Sequence, residues 1–361
     1  MKSILHIITT IERGGAENQL LVLVNEQIKL GHKVFVLPLK GAPELQAEFE
    51  TIGANVITEL LNSGFPHQLI KARRMRRQDF DVIHAHLPRA ELLSMMFIFN
   101  AKLISTKHNA ETFLPNGPKL VSKMLARTTY VLASSTICIS KSVKSYLVEQ
   151  RELPKLSTKT NVVYYGTPRN PLAGKSVSKF SSFSKDSRIK LGTVSRLEAQ
   201  KDLSTLIRAF AKFKEEYPFS TCEIIGAGSQ LNDLRYLVNA LGIADSVKFL
   251  GRTSHIHTKI SSWDIFVLTS RYEGFGMVLL EALQCGRPIV ASNNSAIPEV
   301  LGQDYPWLFN TSEVSDLLQK IVGLIQDLDN FDFLNFAENR LRLFDPGKMA
   351  LEINAVYGGD V

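Results

Sequence analysis

The chain has 361 residues, of which 45% are hydrophobic and 21% are charged. Because compact domains usually hold about 100–200 residues, this length predicts two domains, each large enough to bury its own core. The composition is that of ordinary globular proteins and excludes disorder or low complexity over the whole chain. The three cysteines are scattered and odd in number, which excludes a disulfide framework and a paired-cysteine metal site.

The basic charge of the chain is concentrated in its first half. Residues 1–165 carry 21 Lys and Arg against 13 Asp and Glu, a net charge of +8, whereas residues 166–361 carry 21 against 22. A basic half-molecule indicates an anionic partner, such as a phosphorylated substrate, an anionic lipid surface or a nucleic acid. Nucleic acid is disfavoured, because no aromatic residues are interleaved with the basic ones.

Targeting and membrane-spanning segments are not predicted. The longest apolar run, residues 92–99, is far shorter than the roughly 18–20 residues that cross a bilayer. The apolar start at residues 3–10 is followed at once by Glu12 and Arg13 and shows no small-residue cleavage site. We therefore expect a cytoplasmic protein, which can lie as a peripheral protein on the inner face of the cytoplasmic membrane.

In both halves, short β-branched runs alternate with amphipathic segments. Strands are predicted at residues 3–9, 33–37, 82–85, 103–106, 135–139, 190–194, 222–225, 247–249, 265–269 and 288–291. Helices are predicted at residues 16–30, 203–216, 231–241 and 276–284. This alternation predicts an α/β protein with right-handed crossovers and parallel sheets covered on both faces.

A serine-rich stretch without apolar periodicity, residues 169–188, separates the two alternating regions. We interpret it as a linker between an acceptor-side Rossmann-like domain, residues 1–168, and a second Rossmann-like domain, residues 189–345. The last segment, residues 346–361, is predicted to be a helix that packs back on the first domain. Two such domains bind ligands between the carboxyl ends of their strands, so the strand-to-helix loops are the places to look for chemistry.

The segment RYEGFGMVLLEALQCGRPIVAS, residues 271–292, places a glycine-rich loop between a predicted strand and a predicted helix. Backbone N–H groups near Phe275, Gly276 and Met277 point out of the helix N-terminus, where the helix dipole also favours an anion such as a phosphate. Gly274 and Gly276 allow the backbone to approach a ligand closely.

Two acidic residues flank this anion site. Glu281 can accept two neighbouring hydroxyls of a ribose, and Glu273 can accept the hydroxyls of a sugar beyond the phosphate. The alternative is an ordinary strand–loop–helix with surface glutamates, which the spacing alone does not exclude.

Two further loops show features of anion binding. In GTVSRLEAQKDLSTLIRAF, residues 192–210, Arg196 and Lys201 can clamp a diphosphate, although solvated cations are common in such loops. In ERGGAE, residues 12–17, Gly14 and Gly15 permit close approach of a ligand, although a tight turn alone would also explain them.

Together these three segments resemble glycosyltransferase family 4, a group of retaining enzymes of the GT-B fold. That family combines a GGxE-type loop, a "GRL…K…LI.AF" segment and an E-x7-E element, and here the E-x7-E pair is Glu273 and Glu281. The resemblance implies two facing Rossmann-like domains with a cleft between them. It also implies transfer of a hexose-type sugar, with retention and without a metal ion or cofactor, from a UDP- or GDP-sugar to an acceptor hydroxyl. By analogy with many members, the acceptor is a lipid-linked glycan in cell-envelope polysaccharide biosynthesis.

The resemblance also implies roles for the residues of the second domain. Arg196 and Lys201 would neutralise the diphosphate of the donor, Glu281 would hold the ribose, and Glu273 would hold the donor sugar. The backbone amides of residues 274–277 would complete the phosphate site.

Other implied roles fall outside these motifs. Arg252 would lie against the nucleobase, Gly15 beneath the diphosphate from the opposite domain, and His108 near the donor sugar and the acceptor. The chain departs from the family pattern at Tyr165-Gly166, where Asn-Gly is usual. A non-catalytic nucleotide-sugar-binding protein of the same fold is the alternative function.

Three smaller signals favour other functions less well. Gly226-Ala227-Gly228 begins like a dinucleotide-binding fingerprint but lacks its last glycine and its acidic residue. Asp79-Phe80-Asp81 has the DxD spacing of metal-dependent transferases but precedes a strand instead of following one. His84 and His86 lie on one face of an extended segment, which could suggest zinc. Because no third ligand is expected nearby, we predict a packed or substrate-lining role for them and not a metal site.

The segment KLVSKMLAR, residues 119–127, predicts a helix with Lys119, Lys123 and Arg127 on one face and Leu120, Met124 and Leu125 on another. Such a helix can rest on anionic headgroups, with each cation near the surface contributing about 1 kcal/mol. A solvated helix face is the alternative.

Overall fold

The computed structural model describes residues 1–75, 79–99, 101–115, 117–168, 184–327 and 330–358. The chain forms two compact units. The first unit comprises Met1–Pro168 together with Phe344–Val361, and the second unit comprises Arg169–Leu343. Of the predicted linker, residues 169–183 lie outside the described residues.

The first unit contains a parallel sheet. Its described strands are β1 (Ser3–Ile8), β2 (Lys33–Pro38), β3 (Asn55–Val56), β4 (Val82–His86), β5 (Lys102–Lys107), β6 (Ser135–Cys138) and β7 (Thr160–Val162). They lie side by side in the order β3-β2-β1-β4-β5-β6-β7, and all neighbours pair in parallel. Because the chain runs outward from β1 to β3 and then crosses back to β4, the sheet is doubly wound.

Helices connect these strands. They are α1 (Gly15–Lys29), α2 (Gln46–Thr51), α3 (Phe65–Met75), α4 (Pro88–Ser94), α5 (Lys119–Leu132) and α6 (Lys141–Glu149). The helix predicted at residues 16–30 corresponds to α1. Helix α4 has no counterpart among the predicted helices, because it is only seven residues long and begins with Pro88 directly after Leu87, whose φ is 74°.

The second unit repeats the same plan. Its described strands are β8 (Lys190–Val194), β9 (Thr221–Ile225), β10 (Val247–Gly251), β11 (Ile265–Leu268), β12 (Ile289–Ser292) and β13 (Leu308–Phe309). They lie in the order β10-β9-β8-β11-β12-β13, again all in parallel. The helices are α7 (Leu203–Glu216), α8 (Leu231–Ala240), α9 (Ile256–Ser261), α10 (Met277–Gln284), α11 (Ile297–Leu301), α12 (Val314–Asp327) and α13 (Phe333–Leu343).

After α13 the chain returns to the first unit and forms α14 (Pro346–Val356), which packs against α1. The backbone N–H of Thr167 donates to the carbonyl of Phe344 over 2.9 Å. A Cβ atom on Gly166 would lie 2.5 Å from Cα of Pro346. Only glycine therefore leaves room for the start of α14, which gives the unusual Tyr165-Gly166 pair a packing role.

Alternate residues of the central strands of the first unit face opposite layers. Leu5 and Ile83 belong to a core cluster with residues of α3 and α4. Ile4 and Val82 belong to a second cluster with residues of α1 and α14. Both faces are thus covered, as the near-continuous apolar strands predict. No helix among the described residues combines the length and the apolar composition needed to cross a membrane.

Candidate functional site

The loop that follows β11 holds a buried carboxylate. Glu273 is 8% exposed. Its Oε1 atom accepts hydrogen bonds from Lys201 Nζ at 2.7 Å and from Ser270 Oγ at 2.7 Å. Its backbone N–H donates to Ser295 Oγ at 2.8 Å. The carboxylate is therefore fixed at the carboxyl end of β11, where a ligand of a parallel sheet binds.

Lys201 reaches this carboxylate from the neighbouring strand. It ends a 3₁₀ turn, Ala199–Lys201, that follows β8, and its carbonyl accepts from Thr269 Oγ1 at 2.9 Å. The side chains of Lys201 and Glu273 are both largely buried. An ammonium has three donors, so one can bind Glu273 while others serve a further anion. The sequence predicts that both residues bind a ligand, Lys201 its diphosphate and Glu273 its sugar, but it does not predict their ion pair.

Asp202, which sequence analysis missed, fixes the turn that carries Lys201. It has a left-handed backbone with φ 47° and precedes α7. Burial raises the pKa of this carboxyl, but hydrogen bonds outweigh that effect and hold the pKa below its usual range. The donors are Ser312 Oγ at 2.5 Å, Thr205 Oγ1 at 3.0 Å, Ser204 Oγ at 3.0 Å and Arg271 Nη2 at 3.3 Å.

The loop of Arg196 is held by the Gly226-Ala227-Gly228 segment. The N–H of Leu197 donates to the carbonyl of Ala227 at 3.0 Å. A Cβ atom on Gly226 would overlap the carbonyl oxygen of Ser195, and one on Gly228 would overlap that of Leu197. These glycines are therefore explained by close packing of two loops, in line with the weak dinucleotide-binding signal. Arg196 itself is exposed.

Helix α10 begins directly after this acidic loop. Gly276, its N-cap residue, has φ 91°, a conformation that favours glycine. Phe275 is buried, whereas Gly274 and Met277 are partly buried. Glu281 lies in the second turn, where burial raises the pKa of its carboxyl to about 7. Near neutral pH this group therefore both donates and accepts hydrogen bonds, which suits vicinal hydroxyls.

The remaining predicted residues lie between a strand and the helix that follows it, or at the start of that helix. Arg252 directly follows β10 in the second unit and is exposed. Gly15 is the first residue of α1 in the first unit, and no atom of the described residues lies within 4 Å of a Cβ atom placed on it. The preceding Gly14 makes room for the carboxylate of Glu17, which accepts from Thr10 Oγ1 at 2.8 Å.

His108 directly follows β5 and is 7% exposed. Its Nε2 atom lies 3.0 Å from Nδ1 of His86, and its Nδ1 atom is hydrogen-bonded to the hydroxyl of Tyr165. Burial, together with the nearby charge of Lys107, lowers the pKa of His108 to about 3. The imidazole is therefore neutral, and both of its nitrogens are engaged inside the first unit.

His108 belongs to a larger hydrogen-bonded group, which we call the histidine network. It comprises His6, His84, His86 and His108 together with Gln27, Thr106, Tyr165 and Tyr357. In the sheet, His6 of β1 pairs with His84 of β4, and His86 of β4 pairs with Thr106 of β5. The parallel register of β1, β4 and β5 therefore places these polar side chains next to one another on the face of the sheet that α1 and α14 cover.

The expectation that His84 and His86 have no third histidine nearby is wrong. One nitrogen each of His6, His84 and His86 lie within 4.8 Å of one another, a spacing that a metal ion would accept. The expectation failed because His6 stands about 80 residues away in an apolar strand and only the sheet register brings it close. Each ring nitrogen of these three residues already has a hydrogen-bond partner, so we assign them to the histidine network.

The fold defines an α/β protein with two doubly wound units, and the buried Lys201–Glu273 pair lies at the strand ends of the second unit, the edge at which sheets of this kind bind ligands. The family model described as Glycosyltransferase Family 4 matches residues 13–169, and that described as Glycosyl transferases group 1 matches residues 175–332. The chain belongs to the family 4 glycosyltransferases, which have the GT-B fold. The predicted family and fold class are confirmed, whereas the roles of individual residues stay predictions.

Named relatives and solved structures agree with this assignment. The chain is 26% identical to N-acetyl-alpha-D-glucosaminyl L-malate synthase of Bacillus anthracis, over 73% of this chain and 71% of the relative. It is 24% identical to the phosphatidylinositol N-acetylglucosaminyltransferase GPI3 subunit of Saccharomyces cerevisiae, over 94% and 79%. The crystal structure of Anabaena Alr3699/HepE in complex with UDP and glucose matches with a TM-score of 0.81 and 21% identity, covering 99% of this chain and 100% of the other. At that identity the structural match concerns the fold alone.

Proposed function

We propose that the chain is a retaining glycosyltransferase that moves a hexose-type sugar from a nucleoside diphosphate donor to an acceptor hydroxyl. The observation that carries this proposal is the buried Lys201–Glu273 pair at the strand ends of the second unit, in a chain of a glycosyltransferase family. A buried ion pair adds little to stability on average, because desolvation offsets its attraction. A role in binding a charged, hydroxyl-rich ligand accounts for it better.

We propose a UDP- or GDP-sugar as the donor. Complexes of Alr3699/HepE with UDP and with UDP-glucose support this class of ligand. Arg196 and Lys201 would bind the diphosphate, Glu281 the ribose and Glu273 the hydroxyls of the sugar. Arg252 and Gly15 would contact the nucleobase and the diphosphate.

In the proposed reaction, the bond between the anomeric carbon and the phosphate oxygen breaks as the bond to the acceptor oxygen forms on the same face. The acceptor hydroxyl gives its proton to the departing phosphate oxygen. Negative charge on the β-phosphate grows during departure, and Arg196, Lys201 and the N-terminal end of α10 stabilise it. These groups replace the charge of a metal ion, so the proposed reaction needs no metal and no covalent intermediate.

We propose that the acceptor is a lipid-linked glycan of cell-envelope polysaccharide biosynthesis and that α5 rests on an anionic membrane surface at the cytoplasmic side. Leu120, Met124 and Val131 on α5 are 80%, 59% and 65% exposed. Lys119 and Arg127 beside them are also exposed, and Lys123 is partly exposed. An exposed apolar row flanked by cations fits anionic headgroups and the acyl layer beneath them.

A screen with labelled donors tests the proposed activity. The melting temperature of the purified protein is measured in the presence of UDP-, GDP- and ADP-sugars. Each donor that raises this temperature is then tested for hydrolysis and for sugar transfer to extracted lipid-linked glycans. We expect turnover that EDTA leaves unchanged. Binding without any turnover would instead favour the non-catalytic nucleotide-sugar-binding protein, and loss of activity with EDTA that Mn²⁺ restores would contradict the metal-independent mechanism.

Vesicle flotation tests the membrane proposal separately. The wild type should float with vesicles that contain phosphatidylglycerol and stay in the dense fraction with pure phosphatidylcholine. A Lys119→Glu, Lys123→Glu double variant should lose flotation while it keeps donor hydrolysis. Equal flotation of this variant, or no flotation of the wild type, would contradict a role for α5.

A further inference from the structure

Two branches of the histidine network start at one side chain, Gln27 of α1. On one side, Gln27 Oε1 lies 2.7 Å from His6 Nε2, and His6 Nδ1 lies 2.9 Å from His86 Nε2. His86 Nδ1 then lies 3.0 Å from His108 Nε2, and His108 Nδ1 meets the hydroxyl of Tyr165. All of these side chains are buried, so no bulk water competes for their hydrogen bonds.

The second branch leaves Gln27 through its amide nitrogen. Gln27 Nε2 donates to the hydroxyl of Tyr357 at 3.1 Å. That hydroxyl lies 2.6 Å from His84 Nδ1, and His84 Nε2 lies 2.6 Å from Thr106 Oγ1.

With the Gln27 amide oriented as in this structure, its oxygen toward His6 and its nitrogen toward Tyr357, the direction of each hydrogen bond in the two branches can be assigned. A neutral imidazole has one donor and one acceptor nitrogen, and an amide oxygen only accepts. Since Gln27 Oε1 accepts, His6 must donate from Nε2 and accept at Nδ1. His86 must then donate from Nε2 to His6, and His108 must donate from Nε2 to His86.

The second branch follows the same rule. Because Tyr357 accepts from the amide nitrogen, its own proton points to His84 Nδ1. His84 therefore donates from Nε2 to Thr106. This orientation of the amide assigns the proton to Nε2 in all four histidines.

We propose that Gln27 is a positioning residue that sets the tautomer of the four network histidines and, through His6 and His86, the orientation of His108. The imidazole of His108 then donates at Nε2 and accepts at Nδ1 within the first unit. It holds the chain after β5 in place and does not exchange a proton with a substrate. The consequence of this for turnover rests on the proposed function.

Histidine side-chain ¹⁵N spectra of the full chain test the proposal. A long-range ¹H–¹⁵N correlation spectrum of protein with ¹⁵N-labelled histidine is recorded at pH 7.5. Such a spectrum distinguishes protonated from unprotonated ring nitrogens. We expect Nε2–H and bare Nδ1 for each of His6, His84, His86 and His108. A mixture of tautomers among them, or Nδ1–H on all of them, would overturn the proposal. This result needs no variant and stands even if variants fold poorly.

Two matched variants then separate the branches. Gln27→Met removes both the acceptor of His6 and the donor to Tyr357, so it is expected to shift the ring ¹⁵N resonances of all four network histidines. Tyr357→Phe removes one hydroxyl of the other branch and should shift mainly those of His84. Unchanged His108 resonances in Gln27→Met, or an equal His108 shift in Tyr357→Phe, would contradict the assigned role of Gln27.

Kinetics with the labelled donor distinguish this proposal from the proposed function. In Gln27→Met, His108 and the chain after β5 are expected to lose their fixed orientation. This loss should lower kcat by about tenfold or more while the KM for the donor stays within about twofold of the wild type. If the wild type shows the expected tautomers but no transfer, the proposed function fails and the network stands. If the wild type transfers sugar with mixed tautomers, or Gln27→Met keeps full kcat, the positioning role fails and the proposed function stands.

Discussion

Acidification should destabilise the first unit through its buried histidines. Burial lowers the pKa of His6 to about 4 and that of His108 to about 3. Burial, and then the neighbouring histidines, also hold the pKa of His84 and His86 well below the usual range. The groups facing these rings are Gln27, Thr106, Tyr165, Tyr357 and the cation Lys107, and none of them is an anion that would favour imidazolium.

The magnitude follows from proton linkage. An unfolded histidine binds a proton below a pH of about 6.5, whereas these folded histidines stay neutral. The unfolded state therefore binds more protons, and stability decreases as the pH is lowered. Each such histidine costs about 1.4 kcal/mol per pH unit below this point. Between pH 7.5 and 5.5, the four together should lower the free energy of unfolding of the first unit by about 5 kcal/mol.

The second unit should respond with the opposite sign. Burial raises the pKa of Glu281 to about 7, so the folded carboxyl binds its proton before the unfolded one does. Protonated Glu281 therefore stabilises the folded second unit at low pH, and this stabilisation is lost as the pH rises through 7. Lowering the pH from 7.5 to 5.5 should raise the free energy of unfolding of this unit by about 2 kcal/mol.

Native-state hydrogen exchange with mass spectrometry separates the two units. Peptides of β4 and β5 should lose protection at pH 5.5, after correction for intrinsic exchange rates, while peptides of α10 should not. Both tryptophans, Trp263 and Trp307, lie in the second unit, so their fluorescence in urea reports on that unit independently. A His67→Gln control at an exposed position of α3 should keep the wild-type response. Equal protection of the β4 and β5 peptides at both pH values would refute the assignment of neutral buried histidines.

Three substitutions test the packing around the sites. Gly226→Ala forces a Cβ atom onto the carbonyl of Ser195 at a φ of 141° and should lower the free energy of unfolding in urea by more than about 3 kcal/mol. Gly323→Ala in α12 is the control: no described atom lies within 4 Å of its new Cβ atom, so it should be neutral or slightly stabilising. Asp202→Asn weakens the hydrogen bonds that fix the Lys201 turn and should cost about 1–3 kcal/mol; an unchanged melting temperature would contradict this. Gly166→Ala should lower the melting temperature and expose α14 to proteolysis, because its Cβ atom would press on the start of that helix.

Local sequence predicted the parts of the site that lie close together in the chain. The strand, the glycine-rich loop and the helix around Glu273 follow from spacing over about 20 residues, and so does the turn that carries Lys201. Parallel topology further predicts that both loops meet at one sheet edge. The sequence could not show that the two side chains touch, because 72 residues separate them and the contact depends on how each loop packs.

The histidine network escaped prediction for a related reason. A lone His6 within SILHII is indistinguishable from a packed core residue, and Gln27 is one polar residue on an amphipathic helix. Register between β1 and β4 brings His6 opposite His84, which no local pattern specifies. A usable signal was the recurrence of histidine near the ends of strands that a doubly wound sheet places side by side.

The most direct test of the central claim compares sugar transfer by the wild type with that of Glu273→Gln and Lys201→Met. Each variant removes one charge of the buried pair, and loss of a group that stabilises the leaving phosphate or holds the sugar should lower kcat/KM by about 10²–10³-fold. Glu338→Gln, which removes a carboxylate from an exposed ion pair with Arg342, is the matched control and should stay within about twofold of the wild type. Circular dichroism confirms that each variant is folded. Folded Glu273→Gln and Lys201→Met proteins that transfer sugar at the wild-type rate would contradict the assignment of this pair to the donor site.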